Sequence, residues 1–240
     1  MVPMMKKIIL ALGIASLCIA CTVNPKDATI TEKFVISDPC VKLTDQLASI
    51  HAEDLQGAND AETAQNILNW QHEYMKYADP GTQEDASYAM RWNYFLPGIF
   101  PVSEMISERT MQEDGKTKIY GVCWDFAAVF ISVAKSYQLT TRMTAWKEYM
   151  PGVTGGQNGM GPTEYNALKP KLLAHGVDFT QDQINAAAHE TWKHYRAEVF
   201  IDGTWKAYDG TDPTGDYVND ANYTLVSWDE GAKAALTTKE

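Results

Sequence analysis

The chain has 240 residues, of which 45% are hydrophobic, and it carries a formal net charge of −11 at pH 7. This length and apolar fraction are typical of a globular domain with its own core, and they exclude a disordered chain. The acidic balance argues against a nucleic-acid-binding protein, because that function needs a basic face toward the phosphates.

The N-terminal segment has the layout of an export signal. Two lysines precede an apolar run from Ile8 to Ala20, which is shorter than a stretch that spans a bilayer. The run ends in LCIAC and is similar to a bacterial lipoprotein signal, in which the cysteine is lipidated and becomes the first mature residue. We therefore expect a signal peptide over residues 1–20, lipidation at Cys21, a tether over 21–40 and one domain over 41–240. Cleavage after Ala20 without lipid attachment is the alternative.

The first part of the domain is predicted to be helical. Apolar residues in 41–56 recur at helical spacing, so a helix is expected there. A second helix is expected after Asp60, a possible N-cap, and the pair Pro80-Gly81 would stop it. A third helix, capped by Ser103, is expected in the segment SEMISERTMQEDGKT.

The second part of the chain leads from one apolar helix into strands. The helix is predicted from Cys123 to about Gln138, and a threonine-rich strand follows at 140–146. A glycine-rich segment at 151–162 is expected to form a loop, and 163–188 to form short surface helices. Two strands joined by Asp202-Gly203 and a last strand at 222–228 complete an order that predicts an α+β fold.

The length of the turn at Asp202-Gly203 decides which aspartate faces His194. With a two-residue turn, Asp209 lies on the same face as His194 and one diagonal step from it. With a three-residue turn, Asp212 lies directly opposite His194 and Asp209 turns to the other face. The Asp-Gly dipeptide favours the two-residue turn, and hence Asp209.

Cys123 stands at the predicted start of an apolar helix, just behind a glycine. A thiol at a helix N-terminus ionises more readily, and the thiolate is the nucleophilic form. Such a nucleophile needs a base, and the base needs a group that orients it. Of the five histidines, only His194 lies inside a strongly strand-like run. The structural alternative for an exported protein is a disulfide between Cys40 and Cys123.

Two motifs carry a resemblance to a known family. The stretch YGVCWDFAAVF, with HYRAEVFIDGTWKAYDGT about seventy residues later, resembles the transglutaminase-like superfamily. The resemblance covers roughly residues 60–212. It implies a papain-like core in which the cysteine helix packs against an antiparallel sheet. Arg196 stands where relatives often have tryptophan, and Gly210 stands where they usually have proline.

The resemblance also implies a role for each site residue. Cys123 would be the nucleophile, His194 the general base and Asp209 the group that orients the histidine. The backbone N–H of Cys123 and, as in true transglutaminases, an upstream aromatic N–H, here that of Trp92, would form the oxyanion hole. Because a DPT triplet begins one step after the expected position, Asp212 stays open as the third member.

The implied reaction is acyl transfer on protein or peptide amides. Hydrolysis of the cysteine-peptidase kind and transglutamination use the same triad, and hydrolysis has an edge because nothing marks an amine site. No cofactor and no metal are expected, since the acidic run at 209–220 lacks the spacing of an EF-hand loop. The protein is expected at the cell envelope, held to the membrane by its lipid and facing the periplasm or the cell exterior. A catalytically silent binding module of the same fold is the alternative.

Overall fold

The computed structural model describes five stretches of the chain, namely residues 38–77, 99–146, 161–184, 194–212 and 223–226. The predicted lipidation site Cys21, the predicted oxyanion donor Trp92, the signal peptide and most of the tether lie outside these residues. Within the described stretches, no helix combines the length and the apolar character that a bilayer crossing requires.

The described helices and strands alternate along the chain. The helices are α1 (Asp60–Tyr74), α2 (Val102–Arg109), α3 (Cys123–Ser136) and α4 (Pro162–Ala174), with a 3-10 turn at Ala48–Ile50. The strands are β1 (Met75–Tyr77), β2 (Thr110–Glu113), β3 (Lys116–Gly121), β4 (Thr141–Trp146), β5 (Tyr195–Ile201), β6 (Thr204–Tyr208) and β7 (Tyr223–Leu225). The protein therefore belongs to the α+β class, as the order of predicted elements indicates.

The strands form two sheets. In the first, β3 lies between β1, which is parallel to it, and β2, which is antiparallel. In the second, the order is β6-β5-β4-β7 and every pair is antiparallel. The two sheets meet the same helix, because β3 leads directly into α3 and the second sheet packs against it.

Helix α3 is the centre of the core. Every residue from Trp124 to Ala134 is buried, which is expected of a helix that is apolar on all sides. The helix packs on β5 and β4 along one side and on α1 along another. The cysteine helix therefore packs against an antiparallel sheet, and Cys123 is its first residue.

The helix predicted over 41–56 is wrong. This segment is irregular apart from the 3-10 turn, although Leu43 and Ile50 are buried as the apolar pattern predicts. Apart from the bonds around that turn, backbone groups of the segment bond to side chains at the C-terminal end of α3. The Ser136 hydroxyl accepts from the N–H of Leu43 and donates to its carbonyl, at 2.9 and 2.7 Å. The Tyr137 hydroxyl, just past that helix, bonds to two further backbone groups of the segment.

The packed part of the chain begins before residue 41. Cys40, expected in the tether, is 6% exposed and belongs to the core. The carbonyl of Pro39 accepts from the N–H of Val102 at 3.0 Å, and Asp38 forms an ion pair with Lys135 at 2.8 Å. Residues 38–40 therefore dock on the domain and are not part of a free tether.

The alternative of a Cys40–Cys123 disulfide is wrong in this structure, because both cysteines are free. The carbonyl of Cys40 accepts from Lys135 near the C-terminal end of α3. Cys123 is the first residue of that helix, and twelve residues at 1.5 Å each separate the two ends by about 18 Å. A disulfide needs α-carbons within about 7 Å. Burial raises the pKa of Cys40 well above its usual value, as expected of an inert structural thiol.

A hairpin stands where part of a helix was predicted. The helix begun at Val102 ends at Arg109, and β2 and β3 follow, joined by Asp114 and Gly115. Both turn residues have positive φ, 51° and 77°, which suits a tight two-residue turn. The Asp-Gly pair is the same signal that identified the other hairpin of the chain, so it was available in the sequence here too.

Candidate active site

The N-terminus of α3 is shaped by a buried carboxylate. Val122 is extended, with φ −101° and ψ −179°, and its N–H donates to Asp125 at 2.8 Å. Asp125 is fully buried and folds back over the first turn as a helix cap. Gly121 makes room for it, because a Cβ at that position would lie 2.4 Å from the Cβ of Asp125. The glycine before the cysteine is thus required by close packing.

We expect Gly121→Ala to disturb the start of α3. The added methyl group overlaps Asp125, so the cap over Val122 must shift, and the free energy of unfolding should fall by roughly 1–3 kcal/mol. Urea unfolding followed by circular dichroism measures this loss. Gly121 does not have a positive φ, so an alanine there carries no left-handed backbone strain and the loss reports the overlap with Asp125. An unfolding free energy equal to that of the wild type would contradict the packing argument.

His194 is held at the edge of the second sheet. It directly precedes β5, and its carbonyl accepts from the N–H of Trp146, at the end of β4, at 2.9 Å. Its side chain is 12% exposed. This bond continues the β4–β5 ladder by one residue and fixes the backbone from which the ring projects.

The turn between β5 and β6 has two residues, as the sequence predicts. Ile201 pairs with Thr204 and Ala197 with Tyr208, while Asp202 and Gly203 have positive φ of 51° and 78°. Continuing this register past the end of β6 places Asp209 opposite Arg196, one diagonal step from the histidine. The turn length inferred from the Asp-Gly pair is therefore confirmed.

His194 bonds to Asp209 rather than to Asp212. Nε2 of the ring lies 2.5 Å from Oδ2 of Asp209, and the nitrogen donates to the carboxylate. The other carboxylate oxygen, Oδ1, accepts from the N–H of Thr211 at 2.9 Å and from its hydroxyl at 2.7 Å. Asp212 is buried in the same turn and donates its N–H to the carbonyl of Asp209 at 3.2 Å. These bonds hold the carboxylate of Asp209 in one orientation.

The ring of His194 connects Asp209 to Cys123. It forms a side-chain hydrogen bond with each of them. Because Nε2 donates to Asp209, Nδ1 is the ring nitrogen that bonds to the thiol of Cys123. Burial acts to lower the pKa of His194, but the bonds to Asp209 and Cys123 and their negative charges outweigh it and raise that pKa to about 10. The structure thus favours an imidazolium ring between a carboxylate and a sulfur atom.

We expect the raised pKa of His194 to make stability depend on pH. A group whose pKa is higher in the folded state stabilises the fold fully below its unfolded pKa of 6.5, and this contribution is lost as pH rises to about 10. Asp209→Asn should therefore lower the free energy of unfolding by a few kcal/mol at pH 6 and by much less at pH 10. Urea unfolding at pH 6, 8 and 10 measures the difference. A difference that stays constant over this range would contradict the assignment.

The face of the sheet beside His194 carries a charged network. The guanidinium of Arg196 lies 3.7 Å from the centre of the Tyr223 ring and donates to Glu198 at 3.0 Å. Glu198 also accepts from Arg142 on β4 at 2.7 Å. Arg196 thus stacks on the aromatic ring of Tyr223, on β7, and is not exposed to solvent.

On the opposite face of β5, Tyr195 packs against the start of α3. Its ring meets that of Trp124 edge-on, with centres 4.8 Å apart. Burial raises the pKa of Tyr195, and the negative charge of Cys123 adds to the effect. The aromatic pair anchors β5 to the helix turn that carries the cysteine.

The other histidines within the described residues have different surroundings. His51 and His72 are exposed, as their positions on the first elements predict. His175 bonds to Glu104 on α2 at 2.7 Å. His189 lies outside the described residues. Among the residues that the structure describes, no three His, Cys, Asp or Glu side chains are grouped in a way that could hold a metal ion.

Comparisons with known proteins give one match. No family model matches the sequence, and no curated protein does. A solved structure described as a "putative cysteine protease" from Cytophaga hutchinsonii matches with 16% sequence identity and a TM-score of 0.41. The match covers 85% of this chain and 48% of that one, so this chain spans about half the length of that protein. At this TM-score the likeness carries no argument about the activity of this chain.

Proposed function

We propose that this protein is a thiol enzyme that transfers acyl groups from protein or peptide amides. Cys123 is the nucleophile, His194 the general base and Asp209 the group that orients the histidine. The observation that carries the proposal is the imidazole of His194, which bonds to Asp209 at 2.5 Å and to Cys123 in the same structure. A histidine needed only for packing would not require two partners so far apart in the sequence.

The reaction follows from this geometry. The thiolate of Cys123 attacks the carbonyl carbon of an amide, and the carbonyl electron pair moves onto its oxygen. As the C–N bond breaks, protonated His194 gives its proton to the leaving amine, and a thioester remains. Water or a second amine then attacks the thioester, His194 takes its proton, and the acid or new amide leaves as the thiolate returns. The backbone N–H of Cys123, at the N-terminal end of α3, is the donor that we propose for the oxyanion.

The site supports an enzyme better than a silent binding module. A binding surface needs no nucleophile, base and orienting carboxylate in a connected chain, and loss of any one of them would leave such a module folded. Here all three are joined, and the ring between them is held protonated near neutral pH. Hydrolysis is the simpler outcome, since water is always at hand and no amine site is marked.

Thiol labelling tests this proposal with an internal control. Cys123 is partly exposed, whereas Cys40 is buried, so one chain carries both a candidate nucleophile and a structural thiol. Iodoacetamide should modify Cys123 quickly at neutral pH and leave Cys40 untouched until urea unfolds the chain. Mass analysis of proteolytic peptides identifies the modified residue. Labelling of Cys123 no faster than a free thiol, and independent of His194, would favour the silent module.

Incubation with a cell-envelope extract tests the reaction itself. Wild type and Cys123→Ala are compared by mass analysis of released peptides and of new cross-links. Peptides released only by the wild type indicate hydrolysis, and cross-links formed only by the wild type indicate amine transfer. If neither appears with any peptide or protein fraction, acyl transfer on envelope amides is wrong.

The envelope location is part of the same proposal. Growth with an alkyne-tagged fatty acid should label the mature chain that begins at Cys21, and Cys21→Ala should abolish the label while leaving iodoacetamide labelling of Cys123 intact. Export without lipid would give an unlabelled protein that begins at residue 21.

A further inference from the structure

The turn that carries Asp209 needs a contact that fixes its distance from the nucleophile helix. Two bonds described within the turn are local: Thr211 donates to the Asp209 carboxylate, and Asp212 donates to the Asp209 carbonyl. They set the shape of the turn but not its place relative to α3. The stacking of Tyr208 on Phe130, with ring centres 5.3 Å apart, holds β6 further along that helix. Neither contact reaches the first turn of α3, where the cysteine lies.

Gly210 makes the contact with the first turn. A Cβ at this position would lie 2.5 Å from Oε1 of Gln71 and 2.8 Å from Cδ1 of Phe126. Phe126 is three residues after Cys123, on the same turn of α3. The residue next to Asp209 therefore rests directly on a side chain of the nucleophile helix and on the amide of a residue from α1. This contact requires glycine, although relatives usually have proline there.

The amide of Gln71 can be oriented in only one way. Nε2 donates to the backbone carbonyl of Phe126 at 2.8 Å, and a carbonyl can only accept. Oε1 must then point at Gly210, and among the described residues no donor bonds to it, although Gln71 is fully buried. A buried acceptor without a donor lowers stability, and an apolar residue of the same shape would avoid that loss. Gln71 is thus a polar side chain at a buried position where packing alone would favour an apolar residue.

We propose that Gln71 is a positioning residue of the candidate triad. Its amide bridges the first turn of α3 and the turn after β6, and so sets the separation between Cys123 and the carboxylate of Asp209. The consequence for catalysis rests on the proposed function, whereas the consequence for the His194–Asp209 bond does not. Gln71 touches no reacting atom and acts only through the placement of Asp209.

Gly210→Ala tests the contact. The new methyl group overlaps Oε1 of Gln71 and the ring of Phe126, so the turn must move away from α3 and stretch the bond to His194. The pKa of His194, measured by NMR of the labelled ring, should fall toward its ordinary value of 6.5. The rate constant for iodoacetamide labelling of Cys123 at pH 7 should fall by about tenfold or more. Gly115→Ala, a turn glycine with φ of 77° and an open Cβ position, should change neither value.

Two variants of Gln71 separate positioning from plain structural support. Gln71→Ala combined with Gly210→Ala gives the methyl group and the Phe126 ring the space that the amide leaves. The His194 pKa and the labelling rate of this double variant should lie closer to those of Gln71→Ala alone than to those of Gly210→Ala. Gln71→Met keeps the volume but removes the bridge, so labelling should slow while the unfolding free energy stays equal or rises. If Gln71 had only a structural role, Gln71→Met should lower the free energy of unfolding.

The proposal is overturned by any of three results. If Gly210→Ala keeps the wild-type His194 pKa and labelling rate, the contact does not position Asp209. If the double variant has the same pKa and labelling rate as Gly210→Ala, Gln71 and Gly210 are not coupled. Gln71→Met with wild-type values would show that the amide has no role. If Gly210→Ala does not fold, Gln71→Met decides. Slow labelling of the wild type would refute the proposed function but leave the His194 pKa as an independent test.

Discussion

Asp209→Asn is expected to lower acyl transfer by about 10³–10⁴-fold while the chain stays folded. Both donors of Thr211 point at Oδ1, so an asparagine keeps its oxygen toward Thr211 and turns its NH₂ group toward His194. The ring nitrogen Nε2 must then accept, and the single proton of the neutral ring moves to Nδ1. The ring is then no longer the imidazolium of the wild type, and the nitrogen that faces the thiol already carries the one proton. It cannot take the proton of the attacking water, which is the known penalty for the wrong tautomer in such triads.

The measurement compares kcat/KM of wild type and Asp209→Asn on an envelope peptide that the extract experiment identifies. Asp212→Asn is the matched control, because it makes the same chemical change three residues further on and Asp212 does not receive the His194 bond. It should retain kcat/KM within about threefold. If Asp212→Asn were the inactive variant and Asp209→Asn active, the third member of the triad would be Asp212, the alternative that the sequence left open.

His194→Ala is expected to have the second large effect, visible even without a known substrate. The imidazolium at this position favours the thiolate of Cys123, and the variant leaves only the helix N-terminus to do so. Iodoacetamide labelling at pH 7 should slow by roughly 10–100-fold, since the thiol then behaves as an ordinary cysteine that is mostly protonated. Acyl transfer should fall by at least about 10³-fold, because the leaving amine also loses its proton donor.

The dependence of the iodoacetamide labelling rate on pH distinguishes loss of the His194–Cys123 interaction from local unfolding. The labelling rates of wild type and His194→Ala should differ in their dependence on pH, because only the wild type carries the imidazolium of His194 beside the thiol. His175→Ala is the control, since it removes a histidine with a carboxylate partner, Glu104, and no link to Cys123. Equal profiles for wild type and His194→Ala would show that the thiol is not activated by the ring.

The hairpin at β5 and β6 shows how much a short sequence pattern can determine. The Asp-Gly pair fixes the turn at two residues because both positions need positive φ, which glycine and aspartate tolerate. Once the turn length is set, the two-residue period of a strand decides which side chains share a face with His194. Local chemistry therefore favours Asp209, although the DPT triplet kept Asp212 open. The structure confirms the register and shows His194 bonded to Asp209.

The position of Cys123 at the start of a helix could also be predicted from the sequence. An apolar run with helical spacing and a preceding glycine together predict a helix that begins there. What the pattern does not contain is the reason for the glycine. Only the packed structure shows that the space beside Gly121 is taken by Asp125 as it caps Val122.

The segment 41–56 marks the limit of periodicity. Its apolar residues are buried as predicted, yet the chain is not helical, because hydroxyl groups of Ser136 and Tyr137 satisfy its backbone from another element. Spacing of apolar residues reports which side chains face a core. It does not report whether the backbone bonds to itself or to a neighbour brought near by folding.

By itself, the sequence determined the α+β class, the helix that begins at Cys123 and the two-residue turn that favours Asp209 over Asp212 as the partner of His194. Each depends on interactions within a few residues or on one strand register. The tertiary structure alone decided that Cys40 lies far from Cys123 along α3, and that Gln71 and Gly210 meet beside Asp209. Those residues are far apart along the chain, and nothing in local propensity specifies a contact that only the packing of α1, α3 and β6 creates.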